Sequence, residues 1–211
     1  MLKIINHRVE DSVIKELLKS DYIDDFRDSI YYVEYKGKEL YSFPFFNENN
    51  TINNHIIFHR GFRKVIYEKK VLSFWMKKSN VHFPKYLIIS DRPENIVKYV
   101  SNKNHIFSRA SYICFVPGVF NKEHFDYLNK NFSFEKIITL FSENSMNEIL
   151  KLKTTLFLND RYINIQKLNK GYLISYEHLK FEVENINYRY LRNRLELKIK
   201  VPITHKKNIL L

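Results

Sequence analysis

The chain has 211 residues, 45% of them hydrophobic and 16% aromatic, with 35 Lys and Arg against 23 Asp and Glu and a formal net charge of +12. This composition excludes an intrinsically disordered chain, because such chains are poor in aromatic and β-branched residues. The single cysteine, Cys114, excludes an internal disulfide framework and a cysteine-based zinc site. No apolar run reaches the roughly 18 residues of a membrane span, so we expect a cytoplasmic protein.

The first third of the chain is predicted to be antiparallel and rich in β-strands. A short helix over residues 11–20 precedes a strand at 29–35, which turns at Lys36-Gly37 and returns as a strand at 39–46. A polar turn at residues 47–50 follows. Further strands are then predicted at 54–60, 64–67 and 71–75.

The middle of the chain changes to an α/β pattern. Residues 86–89 form a continuous apolar run, typical of a strand buried on both faces, and further strands are predicted at 111–116 and 135–141. Helices are predicted between and after them, at 93–101, 121–131 and 144–152. Alternating buried strands and helices indicate a parallel sheet, whose strands should end along one edge where a site forms.

The last 50 residues are predicted to be rich in β-strands again, at 161–166, 172–176, 181–184 and 195–201, with Pro202 ending the last strand. The expected fold is α/β in its core and α+β overall. We place a β-rich lead-in at residues 1–80, followed by the α/β domain with its β-rich extension at residues 81–211.

Positive charge is clustered along the chain. Residues 58–104 hold 11 basic and 3 acidic side chains, a net charge of +8, and residues 180–211 hold 8 and 3, a net charge of +5. Clustered cations interleaved with aromatic rings are typical of surfaces that bind a nucleic-acid backbone and stack bases. Aromatic residues that alternate on strands are more often part of a core. The candidate nucleic-acid-binding residues are Arg60, Arg63, Lys64, Lys69, Lys70, Trp75 (for stacking), Lys77, Lys78, Arg92, Arg192, Arg194, Lys206 and Lys207.

Acidic side chains at the predicted strand ends raise the question of a metal. Asp91, Glu94 and Glu143 are the candidate Mg²⁺ ligands, because this ion prefers carboxylate oxygens. The simpler interpretation is that acids near helix N-termini complement the helix dipole. Cys114 lies inside an apolar run, which predicts a buried and inert thiol. The chain has no nucleophile-elbow, P-loop or dinucleotide fingerprint, which argues against those enzyme classes.

The order of several motifs resembles the Toprim-domain proteins of bacterial mobile elements, including primase-type and mobilisation-type members. The motifs are Phe43-Pro44-Phe45-Phe46, Ser73-Phe74-Trp75, the run 87–96, Phe115-Val116-Pro117-Gly118 and the run 138–144. Residues 200–202 and 206–208 resemble the last strand of that family. The resemblance covers residues 40–211 and implies a Toprim-like parallel core with β-rich additions at both ends.

The resemblance also implies a degenerate site. The catalytic acids of the family fall on Asp91, Asn95, Ser142, Asn144 and Lys207. Replacing acidic ligands by Ser, Asn and Lys should abolish metal-dependent catalysis and favour direct contact with phosphate. The expected function is therefore that of a pseudoenzyme that binds nucleic acid, DNA in preference to RNA, without a metal cofactor.

Two alternatives remain open from the sequence. One is a metal-dependent nuclease or primase-like enzyme whose Mg²⁺ is held by a rearranged acidic site of Asp91, Glu94 and Glu143. The other is a scaffold subunit of a larger assembly, in which the basic surface meets an acidic protein partner.

Overall fold

The computed structural model has mixed α and β structure and describes residues 2–6, 10, 12, 26–59, 62–67, 72–77, 84–101, 110–115, 122–132, 134–141, 145–157, 159–197 and 203–204. The strands are β1 (Leu2–Asn6), β2 (Tyr31–Tyr35), β3 (Lys38–Phe46), β4 (Ile52–His59), β5 (Phe62–Tyr67), β6 (Phe74–Lys77), β7 (Tyr86–Ser90), β8 (Ala110–Phe115), β9 (Lys136–Leu140), β10 (Asn164–Lys167), β11 (Tyr172–Tyr176), β12 (Leu179–Val183) and β13 (Ile203–Thr204). The helices are α1 (Pro93–Ser101), α2 (Lys122–Asn131), α3 (Ser145–Phe157) and α4 (Tyr188–Arg194), with a 3-10 turn at Arg27–Ser29.

The predicted hairpin near the N-terminus is confirmed. Strands β2 and β3 pair antiparallel with Tyr35 opposite Lys38. The two residues between them, Lys36 and Gly37, both have positive φ, at 53° and 71°. Such a two-residue turn matches the twist of the strands that it joins, so the local sequence is enough to set this register.

One large sheet runs through most of the fold. Its strand order is β1-β2-β3-β6-β8-β7-β9-β13, with β4 paired to β3 and β5 paired to β4. Strand β7 pairs in parallel with both β8 and β9, and β13 pairs in parallel with β9. The predicted parallel arrangement of the three middle strands is therefore confirmed. The sheet continues across residue 80, because β6 pairs with both β3 and β8.

Each face of the parallel strands is covered by different elements. On β7, Ile88 packs with helix α1 and the inner face of the β3–β4 hairpin. Its neighbours Leu87 and Ile89 point to the other face and pack with Phe125 of α2 and Phe157 of α3. The continuous apolar run follows from this two-sided burial, since alternate residues of a strand face opposite sides.

The C-terminal region forms a smaller antiparallel sheet, ordered β10-β11-β12. It packs on α3 and α4 through a cluster that includes Leu152, Leu156, Ile174 and Leu191. The strand predicted at residues 195–201 is wrong over the residues described there. Helix α4 ends at Arg194, and Leu195 and Glu196 form a turn. The last strand, β13, begins after Pro202 and does not end at it.

Two causes explain these differences. The side chain of Asn187 accepts a hydrogen bond from Tyr190 N at 2.9 Å and caps α4, which the apolar content of the region concealed. Helix α3 continues to Phe157 and does not end at residue 152 as predicted, because it packs against two hydrophobic clusters at once.

The helix predicted at residues 11–20 lies outside the described residues apart from Ser12. No helix in the described ranges is long and apolar enough to cross a membrane.

Two buried histidines should make the fold sensitive to mild acid. Burial lowers the pKa of His55 to about 4, and burial together with the nearby Lys153 lowers the pKa of His124 to about 3. An unfolded chain takes up these protons near pH 6.5 and the folded chain does not. Stability is therefore lost as the pH falls below 6.5, by about 2 kcal/mol for each histidine between pH 7 and pH 5.

Between pH 7 and pH 5, we expect His55→Asn to lose about 2 kcal/mol less of its free energy of unfolding than the wild type, because the amide does not titrate. The asparagine retains a polar partner for Ser42 Oγ, which lies 2.8 Å from His55 Nδ1. Urea unfolding at pH 7 and pH 5 measures the difference. The exposed His178 provides the control, and His178→Asn should show the wild-type pH dependence. An unchanged pH dependence in His55→Asn would contradict the assignment.

Candidate functional site

The carboxyl edge of the parallel strands is built around the end of β7. Ser90 Oγ donates a hydrogen bond to the carbonyl of Leu140, the last residue of β9, at 2.8 Å. The same hydroxyl oxygen accepts from Arg92 N at 3.1 Å, and Asn95 Nδ2 donates to Leu140 O at 3.3 Å. The turn between β7 and α1 is thus tied to the end of β9. This fixes the positions of residues 91–95.

The topology gives this edge a particular meaning. Within the parallel part of the sheet the order is β8-β7-β9-β13, so the chain moves from β7 to one side and then returns past it to β9. The strand order reverses between β7 and β9. In open α/β sheets, ligands bind outside the carboxyl ends of the strands at such a switch point.

Two carboxylates at this edge each face an arginine. Glu94 Oε1 lies 3.3 Å from Arg63 Nε, and Asp91 Oδ2 lies 3.8 Å from Arg92 Nε. Arg63 belongs to β5 and reaches the site from the face of the antiparallel strands that covers α1. Asp91, Arg92 and Glu94 lie in the segment that directly follows β7. The structure therefore joins residues that are about 30 positions apart in the chain.

Several buried atoms in this cluster have no hydrogen-bond partner among the described residues. They are the second oxygens of both acids, Asp91 Oδ1 and Glu94 Oε2, and the Nη2 donor of Arg63; Arg63 Nε makes no aligned hydrogen bond but is ion-paired with Glu94 Oε1. Leaving buried polar atoms unpaired costs free energy, so the cluster retains the capacity to bind a ligand. The Nη2 donor of Arg63 requires a hydrogen-bond acceptor, and anions form the strongest hydrogen bonds with a guanidinium group.

Burial and the two arginines have opposite effects on the pKa of Asp91, whose side chain is buried. Burial raises the pKa of its carboxyl group, and the positive charges of Arg92 and Arg63 oppose that rise. Both arginines thus act on the same carboxylate.

Cys114, beside Ser90 on β8, is fully buried, and burial raises the pKa of its thiol far above the usual value. The prediction of a buried thiol is confirmed.

The described residues do not fit a Mg²⁺ ion well. The unpaired oxygens of Asp91 and Glu94 would suit a cation, but each carboxylate already faces a guanidinium whose charge repels a metal. In the described part of the chain, no group of three or more His, Cys, Asp or Glu side chains is placed to hold a metal. Glu143, the third predicted ligand, lies outside the described residues, as do Ser142 and Asn144.

The predicted basic residues that the structure describes lie on several different faces of the fold. Arg63 and Arg92 come together at the carboxyl edge. Lys64 is on the opposite face of β5, where its Nζ lies 3.3 Å from Tyr35 Oη. Arg192 and Arg194 belong to α4, with the Arg194 guanidinium 4.1 Å from the ring centroid of Phe181. Lys77 is half-buried at the end of β6. Arg60, Lys69, Lys70, Lys78, Lys206 and Lys207 lie outside the described residues.

The structure places Trp75 in the core and not on a binding surface. Its side chain is 2% exposed, and its Nε1 donates to Ser29 O at 3.0 Å. The ring of Phe26 stacks on it with centroids 6.0 Å apart, and Phe43 meets it edge-on at 5.4 Å. No ring face is left for a base. We therefore remove Trp75 from the stacking candidates, in agreement with the core alternative for strand aromatics.

Sequence reasoning missed Ser90 as a site residue. Its hydroxyl is fully buried and organises the turn that carries Asp91 and Arg92. A polar residue directly after an apolar run was the available signal. The contact of Arg63 with Glu94 had no such signal, because it depends on how β5 lies over α1.

Comparisons with known proteins give partial likenesses only. No family model matches the chain, and no curated protein matches it. One solved structure with similarity is a complex of the bacteriophage T7 lagging-strand DNA polymerase with primase domains of two gp4 subunits bound to an RNA/DNA hybrid and dTTP. It is 13% identical, with 55% of this chain and 51% of that chain covered and a TM-score of 0.37. Another is the primase fragment of the bacteriophage T7 primase-helicase protein, at 11% identity, 57% and 50% coverage and a TM-score of 0.41. The chain spans about half the length of the chains that it matches.

Proposed function

We propose that this protein binds nucleic acid, with Arg63 and Arg92 holding backbone phosphate at the carboxyl edge of β7, and that it does so without catalysis. The observation that carries the proposal is the buried Nη2 of Arg63, which has no hydrogen-bond acceptor among the described residues, while its Nε is ion-paired with Glu94. A phosphate oxygen supplies that acceptor, and the 43% exposed side chain of Arg92 is available to the same group.

Charge and motif order support this assignment. The segment 58–104, which contains both arginines, carries a net charge of +8. Electrostatic attraction to phosphate supplies most of the affinity of sequence-independent binding. The resemblance to Toprim-domain proteins favours DNA over RNA, and it favours a bacterial mobile element and the cytoplasm as the setting.

The absence of catalysis rests on the pairing of the acids. Phosphoryl-transfer enzymes of the Toprim kind need carboxylates that are available to metal ions. Here Asp91 and Glu94 face arginines, and Asn95 stands at a position where the resemblance implies an acid. Such a site is suited to hold a phosphate in place and not to activate it.

The first experiment measures binding of labelled single-stranded and double-stranded DNA and RNA at two salt concentrations, with and without Mg²⁺, followed by a denaturing gel. We expect binding that weakens steeply with salt and leaves the nucleic acid intact. Metal-dependent products would establish the nuclease or primase-like alternative. No binding at low salt, with a protein partner recovered after nuclease treatment, would establish the scaffold alternative.

The substitution Asp91→Asn separates the two nucleic-acid hypotheses by the sign of its effect. Because it removes a negative charge beside Arg92 without changing the side-chain shape, we expect DNA to bind about threefold more tightly. A fluorescence anisotropy titration measures this affinity. The exposed Asp28 offers the matched control, and Asp28→Asn should bind like the wild type. Weaker binding of Asp91→Asn that depends on Mg²⁺ would show that the carboxylate holds a metal.

A further inference from the structure

A second, smaller site lies on the other side of the sheet from Arg63 and Arg92. A cavity of about 250 Å³ opens between α2, α3 and the segment that leads into β10. Its described lining combines three cations with three aromatic rings: Lys122, Lys153, Arg161, Phe125, Phe157 and Tyr162. Helices α2 and α3 cover the face of the sheet opposite to α1, so this cavity is separate from the site at the carboxyl edge.

The aromatic residues form an apolar floor and one exposed wall. Phe125 and Phe157 stack with ring centroids 3.8 Å apart and are almost fully buried. Tyr162 stands beside them, its ring centroid 5.9 Å from that of Phe157, and it is 43% exposed. A large aromatic residue that is open to solvent beside a cavity offers a surface on which a planar ring stacks.

The cations surround this wall. Lys122 Nζ lies over one face of the Tyr162 ring, 4.8 Å from its centroid, so a base would stack on the other face or take the place of this ammonium group. Arg161 donates to Tyr176 Oη at 2.9 Å through one terminal nitrogen, and its guanidinium has further donors. Lys153 is half-buried, and burial lowers the pKa of its ammonium group. The three cations give the described lining of the cavity a positive charge that attracts an anion.

Carboxylates lie outside the described lining of the cavity, among them Glu177, which acts electrostatically on Arg161. The described lining residues include no carboxylate. The nearby Asp126 stands at the rim, where its Oδ1 accepts a hydrogen bond from Tyr162 Oη at 3.3 Å. A larger groove of about 880 Å³ lies on the far side of α2 and has the opposite character, because Glu48, Glu123 and Asp126 line it. An anionic ligand would therefore select the smaller cavity.

We propose that this cavity binds a single nucleotide unit, with its base against Tyr162 and its phosphate among Lys122, Lys153 and Arg161. Cations and an exposed aromatic face together select a ligand that is both planar and anionic. The choice of a nucleotide among such ligands rests on the proposed function. The volume of about 250 Å³ is just below the roughly 300–1,000 Å³ of ligand cavities, so the cavity holds at most one nucleotide and not a stretch of several bases.

The experiment titrates the full chain with dAMP, deoxyadenosine and inorganic phosphate in separate arms. We expect dAMP to bind saturably and more tightly than either part alone. Lys122→Gln should weaken dAMP about tenfold, since it removes one charged contact to phosphate. Tyr162→Leu should weaken it about fivefold, whereas Tyr162→Phe keeps the ring and should bind as the wild type does. Lys130→Gln, an exposed change on the same helix, is the control and should have no effect.

Further arms identify the source of the nucleotide. An oligonucleotide with a 5′-phosphate is compared with the same strand lacking it, in the wild type and in Lys122→Gln. A preference for the phosphorylated strand that disappears in Lys122→Gln assigns the cavity to a strand end. If the two strands bind equally well and Lys122→Gln still weakens the binding of dAMP, the cavity is assigned to a free nucleotide.

The proposal is overturned if dAMP does not bind at millimolar concentration, or if Lys122→Gln and Tyr162→Leu bind it as the wild type does. Thermal unfolding of each variant verifies that a loss of binding is not a loss of folding. The proposed function is tested separately through Arg92→Gln and long strands. Failure of strand binding with intact dAMP binding would therefore overturn the function assigned to the carboxyl edge and leave the cavity assignment in place.

Discussion

The double variant Arg63→Gln/Arg92→Gln is expected to bind DNA about a hundredfold more weakly than the wild type, as two phosphate contacts are lost at about tenfold each. Arg63 supplies one buried donor, Nη2, without an acceptor among the described residues, and Arg92 supplies an exposed cation beside it. Because each phosphate contact releases counterions, the slope of log affinity against log salt should fall in magnitude by about 2. Anisotropy titrations at four salt concentrations measure both quantities.

A charge-matched control distinguishes a local site from a general effect of net charge. Lys170 and Lys180 are exposed on the small C-terminal sheet, away from the carboxyl edge. Lys170→Gln/Lys180→Gln also removes two positive charges. It should change the affinity for DNA less than twofold, because exposed charges away from the site contribute little. Equal losses in the two double variants would contradict a site at Arg63 and Arg92. Arg92→Gln alone guards against misfolding, because this side chain is solvent-exposed.

The substitution Trp75→Leu is expected to lower the free energy of unfolding by about 4 kcal/mol and to leave the DNA affinity of the folded protein unchanged. The indole packs against Phe26, Phe43 and Tyr112, and its nitrogen bonds to Ser29 O. Leucine fills only part of this volume and leaves the carbonyl without its donor. Urea unfolding measures the stability, and titration at low temperature measures the affinity.

Trp75 is also the only tryptophan in the chain, so the fluorescence of the protein reports directly on the surroundings of this side chain. A buried indole should emit at short wavelength, and its emission should not change when DNA is added. Trp75→Phe serves as the milder variant and should lose less stability, since one aromatic ring replaces another. Saturable quenching by DNA, or a loss of affinity in folded Trp75→Phe, would return this residue to the binding surface.

Elements with a strong local pattern could be predicted from the sequence. The hairpin at Lys36-Gly37 needs two residues with positive φ, and the strand β7 with helix α1 follows from an apolar run and Pro93. The failures occurred where packing overrides pattern. Phe74–Lys77 is the strand β6, and not 71–75, because its partner β8 sets the register. The apolar residues Leu195 and Leu197 belong to a helix end that packs on α3, not to a strand.

By itself, the sequence determined that the three middle strands β7, β8 and β9 are buried and parallel, with Asp91 directly after the first, and that positive charge is concentrated around residues 58–104. It also determined that Cys114 is buried. Only the tertiary structure decided that Arg63 reaches Glu94, that Trp75 is enclosed, and that Lys122, Lys153 and Arg161 share one cavity with Tyr162. The physical reason is that periodicity reports which face of an element is buried, whereas contacts between residues far apart in the chain depend on how the elements pack against each other.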